Sequence, residues 1–85
     1  MNDIPHPRPR LNPRKLLLSK WTAVQPRASE KHFVVTELVA APWAASHLPP
    51  LPPVAVVIEA VHSRRSQTIP WRELTDVARW RQGWR

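Results

Sequence analysis

The sequence has no cysteine, no tyrosine, a single glycine and no apolar run approaching the length of a membrane span. Without cysteine it can form neither a disulfide nor a thiolate-bound zinc site, which fits a reducing cytoplasm. A membrane helix needs about 20 apolar residues, and the first apolar run near the N-terminus is only Leu16–Leu18. We therefore expect a soluble, cytoplasmic protein with no membrane partner and no secretory signal.

The sequence also lacks the residue patterns of catalytic and metal sites. One glycine, Gly83, cannot build a glycine-rich phosphate loop. Serines lie near histidines in the chain, but no acidic orienting residue or strand–turn–helix elbow accompanies them. None of the histidines has a second one three or four residues away, as a helical metal site requires; they are His6, His32, His47 and His62. We expect no enzyme activity, no catalytic residue, no cofactor, no metal and no small-molecule substrate.

What the chain does contain is tryptophan. Its 85 residues include five tryptophans and one phenylalanine, and a chain of this length forms one small domain. Each buried aromatic removes roughly 150–250 Å² from water, at about 25 cal/mol per Å². A small domain without disulfides or metal needs such dense apolar burial, so we expect the tryptophans to be structural first.

Positive charge is concentrated at the two ends of the chain. The net charge of +7 divides into +4 for residues 1–20, −1 for residues 21–63 and +4 for residues 64–85. Residues 1–13 hold four prolines and are predicted to be an extended basic tail, followed by one domain over residues 14–85 with a proline-rich loop at 40–53. A basic field attracts nucleic acid and acidic proteins alike.

Three segments alternate or are rich in β-branched residues and are predicted strands: Lys20–Val24, His32–Val39 and Val54–Val61. Pro26 is expected to end the first of them. A polar break at His62–Arg65 predicts a hairpin tip that leads into a further strand over Ser66–Ile69. Both faces of the two central strands are largely apolar, which favours a sheet that curls or is covered on one side.

The C-terminal segment is predicted to be helical. Trp71–Leu74 should form one turn after Pro70, and a short helix is expected over about residues 76–82, ended by Gly83. Trp71, Leu74, Val77 and Trp80 would then form one apolar stripe, which favours packing of these rings in the core over a stacking surface. The predicted core is Trp21, Phe33, Val35, Val56, Ile58, Trp71, Leu74 and Trp80.

These elements predict a mainly β fold of the small α+β kind. Three or four antiparallel strands would carry the short C-terminal helix, either curled toward a Tudor-like barrel or as a flat three-stranded sheet with the helix across one face.

Four motifs resemble those of a known family: SKWTAV at residues 19–24, EKHF at 30–33, PWREL at 70–74 and the spaced W…GW ending. Together they are similar to a family of small bacterial tryptophan-rich proteins. The resemblance assigns no activity and no catalytic residue to this chain. The chain departs from the family pattern between Ala40 and Pro53.

The arginines of the C-terminal segment are the strongest polar group, because guanidinium forks suit phosphate oxygens; they are Arg64, Arg65, Arg72, Arg79 and Arg81. The leading hypothesis is a nucleic-acid-binding accessory module for RNA or ribosome-associated RNA, with phosphate-dominated binding. The alternative is an adaptor docking on an acidic protein through Trp43, Trp84 or PPLPP (Pro49–Pro53), which could equally be a stiff loop. A merely solvated basic face is the third interpretation.

Overall fold

Five antiparallel strands form one sheet in the structure, a computed structural model that describes residues 10–44 and 51–85. The strands are β1 (Lys20–Arg27), β2 (Glu30–Val39), β3 (Ala55–Ala60), β4 (Ser66–Pro70) and β5 (Trp80–Gln82). They are arranged in the order β4-β3-β2-β1-β5. Residues 1–9 of the predicted tail and residues 45–50 of the predicted proline-rich loop lie outside the described residues.

The mainly β prediction is confirmed, with two corrections. The sheet has five strands rather than three or four, and it is open rather than closed into a barrel, since β4 and β5 are its two edges. The helical elements assigned within the described residues are short 3₁₀ turns, including Pro13–Lys15 and Trp71–Thr75. In this part of the chain no helix is long and apolar enough to cross a membrane.

The predicted helix over residues 76–82 is wrong. After the 3₁₀ helix Trp71–Thr75, Asp76 turns the chain by accepting a hydrogen bond from the Ala78 N–H on its side chain (3.0 Å) and bonds from two later N–H groups on its carbonyl. The chain then forms β5, whose Trp80 pairs with Ala23 of β1. An isolated seven-residue helix is marginal in water, whereas the free edge of β1 offers ladder hydrogen bonds and a place for Trp80 in the core.

Strand β1 continues past Pro26, where the sequence predicted its end. β5 pairs only with Trp21–Ala23, and the pairing with β2 is irregular between Thr22 and Arg27. Pro26 therefore lies where no ladder hydrogen bond is required of it. The tight turn to β2 uses Ala28 (φ 53°) and Ser29 (φ 62°), the positive φ values of a type I′ hairpin in a chain with no glycine there.

The two faces of the sheet have different roles. We call the face that carries Trp21, Phe33, Val35 and Ile58 the inner face, and the face that carries Lys20, Thr22 and Arg81 the outer face; strand pairing sets both groups. A β-bulge between Val35 and Glu37 shifts the alternation of β2, so that Leu38 returns to the core. The bulge explains why β2 appeared apolar on both sides in the sequence.

The core occupies the inner face. Its buried side chains come from all five strands, from the 3₁₀ helix Trp71–Thr75 and from the residue that follows Lys15: Leu16, Trp21, Phe33, Val35, Val56, Ile58, Ala60, Ile69, Leu74 and Trp80. The predicted core residue Trp71 is only half-buried and packs against this cluster from its edge. Val77 of the predicted stripe is exposed, because the helix that would have aligned it with Trp80 does not form.

Candidate nucleic-acid interface

The predicted phosphate-binding arginines do not form one surface. Arg65 and Arg79 line a cleft on the inner face, whereas Arg81 lies on the outer face beside Thr22. The guanidinium of Arg72 stacks over the ring of Trp71, 4.8 Å from its centroid, and Arg64 lies at the hairpin turn after β3.

Three of these arginines already have carboxylate partners. Arg64 pairs with Glu59 (N–O distance 3.3 Å), and Arg79 pairs with Glu73 (3.4 Å). Both pairs are partly exposed, so they contribute little to stability, but they cancel charge that a phosphate would otherwise meet. Both partners are near in the chain, since Glu59 precedes Arg64 by five residues and Glu73 precedes Arg79 by six.

Arg65 makes the most extensive contact with a carboxylate. Its Nε and Nη2 donate to the two carboxylate oxygens of Glu30 at 2.9 and 3.1 Å, and the Ser63 hydroxyl donates to the same carboxylate. Glu30 is buried, and these hydrogen bonds hold its pKa below the ordinary value of a glutamate. The contact fastens the β3–β4 turn to the start of β2, so Arg65 has a structural role that the sequence did not reveal.

A different aromatic group lies on the outer face, formed by the last residues of the chain. Gly83 has φ +86° and donates from its N–H to the carbonyl of Lys20 (2.7 Å). The chain reverses there, and Thr22 ties the reversed segment down: its hydroxyl donates to the Gly83 carbonyl (2.7 Å) and accepts from the Arg85 N–H (3.0 Å). Trp80 and Trp84 consequently lie on opposite faces of the sheet.

Trp84 is held in place yet remains accessible. Its indole Nε1 donates to the backbone carbonyl of Phe33 (3.0 Å), while 45% of the residue surface stays exposed. The Lys20 ammonium lies 4.7 Å from the ring centroid, a cation–π contact, and the His32 ring lies 5.9 Å away at 34°. The ring is therefore fixed over β1 and β2 with a cation against it.

We call this group the Trp84 platform; it consists of Lys20, His32, Arg81, Trp84 and Arg85. The His32 Nε2 lies 3.2 Å from the Arg85 carbonyl, which adds a second tie between β2 and the C-terminal segment. Sequence reasoning found Arg81 and suspected Trp84, but it missed Lys20, His32 and Arg85 as neighbours. The available signal was the glycine between the two tryptophans, since a positive φ there reverses the chain.

The matched motifs occupy the positions that build this arrangement: SKWTAV is β1, EKHF begins β2, and W…GW places one ring inside and one outside. Residues 19–85 match the family model described as Tryptophan-rich protein (DUF2389). The chain belongs to this family. The match confirms the resemblance inferred from the motifs, while searches of curated proteins and of solved structures gave no match.

For this tryptophan-rich protein the Gly83 reversal makes a direct prediction. Gly83→Ala should lower the free energy of unfolding by about 1 kcal/mol, because an alanine at positive φ is strained. Steric overlap would not add to this loss, since an added Cβ meets no atom within 4 Å. We expect a modestly lower midpoint in urea and greater quenching of Trp84 by acrylamide. Gly83→Asn, which tolerates positive φ better, is the control and should retain most of the stability. Equal losses in both variants would show that φ is not the cause.

A second exposed tryptophan lies at the other end of the tryptophan-rich fold. Trp43 is 63% exposed and lines an apolar groove of about 320 Å³ with Trp71, Pro52, Pro53 and Val54. Among the described residues that line this groove, Arg72 is the only charged one. The apolar lining of this groove suits contact with another protein, whereas Trp84 is surrounded by cationic side chains.

Metal ligands are not clustered. In residues 10–44 and 51–85 no group of three or more histidine, cysteine, aspartate or glutamate side chains could hold a metal ion. His6 and His47 lie outside the described residues.

Proposed function

We propose that this protein is a non-catalytic module that binds single-stranded nucleic acid, RNA in particular, through the Trp84 platform. The observation that carries the proposal is a tryptophan fixed by its own hydrogen bond to the backbone of β2 yet 45% exposed on a sheet face among cations. Positively charged sheet surfaces that present aromatic rings are how single strands are bound without sequence readout.

Stacking on Trp84 would require little rearrangement. The ring is already oriented by its hydrogen bond to the Phe33 carbonyl, so no entropy is lost in ordering it when a base binds. In the free protein Lys20 lies over the ring; its flexible stem allows the ammonium to move aside and meet a phosphate while a base takes its place. Base–aromatic stacking is worth about 1–3 kcal/mol per base.

Phosphate contacts would come from Lys20, Arg81 and Arg85. Among the described residues none of these three is in a salt bridge with a carboxylate, in contrast to Arg64, Arg65 and Arg79. The platform therefore keeps its positive charge, whereas the exposed guanidinium groups of Arg64, Arg65 and Arg79 each contact one carboxylate.

The architecture favours a single strand over a duplex. Reading the major groove takes an inserted helix or a two-stranded ribbon. The helices assigned within the described residues, Pro13–Lys15 and Trp71–Thr75, span three and five residues, and the strands belong to one five-stranded sheet. A splayed single strand can lie along a sheet face and stack its bases one by one.

The test is a salt titration of binding to fluorescein-labelled oligouridine. Three phosphate contacts predict a slope of log affinity against log salt of about −2, at roughly −0.7 per phosphate on single strands. Arg81→Gln should flatten the slope by about 0.7. Trp84→Ala should weaken binding by about 5- to 150-fold, as expected for one stacked base, with the slope unchanged.

Arg79→Gln is the matched control, because Arg79 lies two residues from Arg81 but lines the inner cleft. It should leave RNA binding unchanged. Absence of binding at low salt, or equal effects of the Arg79 and Arg81 variants, would contradict the proposal.

One specific observation supports the adaptor hypothesis: Trp43 is exposed and lines a groove with Trp71. Crosslinking in cells separates the two functions. Loss of RNA crosslinks in Trp84→Ala supports the platform, and loss of protein crosslinks in Trp43→Ala, with RNA crosslinks absent throughout, supports the adaptor.

A further inference from the structure

One end of the inner face of the sheet is covered by a short helix. The 3₁₀ helix Trp71–Thr75 packs Leu74 into the core there. At the opposite end, where β1 ends and β4 begins, a cleft of about 320 Å³ remains open. Small-ligand sites are typically about 300–1,000 Å³, so the cleft has room for one small molecule.

The rim of this cleft is cationic and rich in amides. We call the site the inner cleft; its polar lining consists of Gln25, Arg27, Glu30, Arg65, Gln67 and Arg79. Three guanidinium groups line the cleft with one carboxylate, Glu30, which is already engaged by Arg65 and Ser63. A second carboxylate, Glu73, lies outside the lining and pairs with Arg79. The lining therefore carries a net positive charge with donors to spare.

Two of the arginines are held in position before any ligand arrives. Glu30 engages the Nε and Nη2 of Arg65, which leaves Nη1 outside that pair. Glu73 contacts the Nη1 of Arg79 at 3.4 Å. A guanidinium oriented in this way loses less entropy when it binds an anion. The planar forks suit a phosphate with several oxygens better than a single point acceptor.

The floor of the inner cleft is aromatic. Phe33 and Trp80 lie edge to face, with ring centroids 5.1 Å apart at 84°. The indole Nε1 of Trp80 is the one buried side-chain nitrogen or oxygen atom among the described residues that has no hydrogen-bond partner. Such an unpaired donor is costly to bury, and unpaired buried groups mark sites where an acceptor is missing.

We propose that the inner cleft binds a nucleotide, with its phosphomonoester on Arg27, Arg65 and Arg79. The carboxamides of Gln25 and Gln67 each carry a donor and an acceptor, which is what the edge of a nucleobase requires. The site lies on the opposite face from the Trp84 platform, so it goes beyond the proposed function and does not depend on it. The nucleotide comes either free in solution or as the 5′-phosphorylated end of a strand.

The experiment is a titration of the ¹⁵N-labelled protein with adenosine 5′-monophosphate, adenosine and inorganic phosphate, followed by NMR. Adenosine 5′-monophosphate should shift the side-chain amide signals of Gln25 and Gln67 and the indole signal of Trp80, and leave that of Trp84 in place. Adenosine alone should bind at least tenfold more weakly, because it lacks the charged acceptor.

Arg79→Gln and Arg81→Gln form the matched pair. Arg79 belongs to the inner cleft and Arg81 to the outer face, and neither is buried, so both variants should fold. Arg79→Gln should weaken binding of adenosine 5′-monophosphate about tenfold or more, while Arg81→Gln should leave it unchanged. This pattern is the reverse of that expected for oligouridine, so failure of one proposal is distinguishable from failure of the other.

The source of the nucleotide is decided in the Trp84→Ala variant by comparing 5′-phosphorylated oligouridine with adenosine 5′-monophosphate. The 5′-hydroxyl oligouridine, which lacks the phosphate, is the control. Tighter binding of the phosphorylated strand than of adenosine 5′-monophosphate assigns the cleft to strand ends, and equal binding assigns it to free nucleotide. The proposal is overturned if adenosine 5′-monophosphate shifts no inner-cleft signal, if adenosine binds as well, or if the two arginine variants lose affinity equally.

Discussion

Replacing Trp21 with alanine should lower the free energy of unfolding by about 3–5 kcal/mol, the usual cost of truncating a buried aromatic residue. Trp21 lies in β1 on the inner face, is 1% exposed, and donates from its Nε1 to the Ser19 hydroxyl (2.8 Å). The substitution would leave a cavity in the core and remove a hydrogen bond that the Ser19 hydroxyl accepts. Since small domains are stable by only about 5–15 kcal/mol, most of the molecules would be unfolded at modest urea concentrations.

Trp71→Ala is the informative comparison. The sequence alone places Trp71 in the core and predicts the same 3–5 kcal/mol loss for it. In the structure it is half-buried at the edge of the core with Arg72 over its ring, so about half of that loss is expected. Urea denaturation followed by circular dichroism measures both variants. A Trp21 variant as stable as wild type, or a Trp71 variant that loses more than it, would contradict this description of the core.

The second large effect should come from Glu30→Gln, which removes the buried charge that joins two hairpin turns. The neutral amide cannot accept the pair of bonds from Arg65 and the one from Ser63 in the same way, so a clearly lower Tm is expected at neutral pH. The contact spans β2 and the β3–β4 turn, and its loss should also loosen the wall of the inner cleft.

The pH dependence follows from the lowered pKa of Glu30. The folded protein binds a proton at Glu30 less readily than the unfolded chain does, so the stabilisation is fully present above the ordinary glutamate pKa of about 4.3 and is lost as the pH falls through the lower folded-state value. Tm measured from pH 7 down to pH 2 should therefore fall more steeply in wild type than in Glu30→Gln.

Glu59→Gln provides the control, because its partner Arg64 is largely exposed and surface pairs contribute little. This variant should keep both the Tm and the acid sensitivity of wild type. If Glu30→Gln behaved in the same way, the Glu30–Arg65 contact would not be a determinant of stability.

Much of the sheet was predictable from local patterns. The strands β2, β3 and β4 and the hairpin between the last two follow from β-branched runs separated by a polar break, because alternation along a strand reports burial directly. The same holds for the single 3₁₀ turn after Pro70, since proline presets the backbone for it. The family too was recognisable, because its motifs are short and contiguous.

The arginines show where local reasoning reaches its limit. Their number and position on the chain are plain in the sequence, but Arg65 is fixed by Glu30, 35 residues away, and Arg79 by Glu73. The platform depends on Lys20 and Trp84, which are brought together by the pairing of β1 with β5 and by the chain reversal at Gly83. Charge counting cannot separate a paired guanidinium from one that is available to a phosphate.

The sequence by itself determined that this protein is small, basic, built on tryptophan and mainly β, because composition and period-two alternation reflect burial that each strand needs wherever it pairs. Only the tertiary structure decided that Trp80–Gln82 is a strand and that Trp80 and Trp84 lie on opposite faces. An apolar residue every three or four positions satisfies a helix and a strand–turn equally well. The choice was made by the unpaired edge of β1, some sixty residues earlier in the chain, which supplies the hydrogen bonds and the buried site that a short helix lacks.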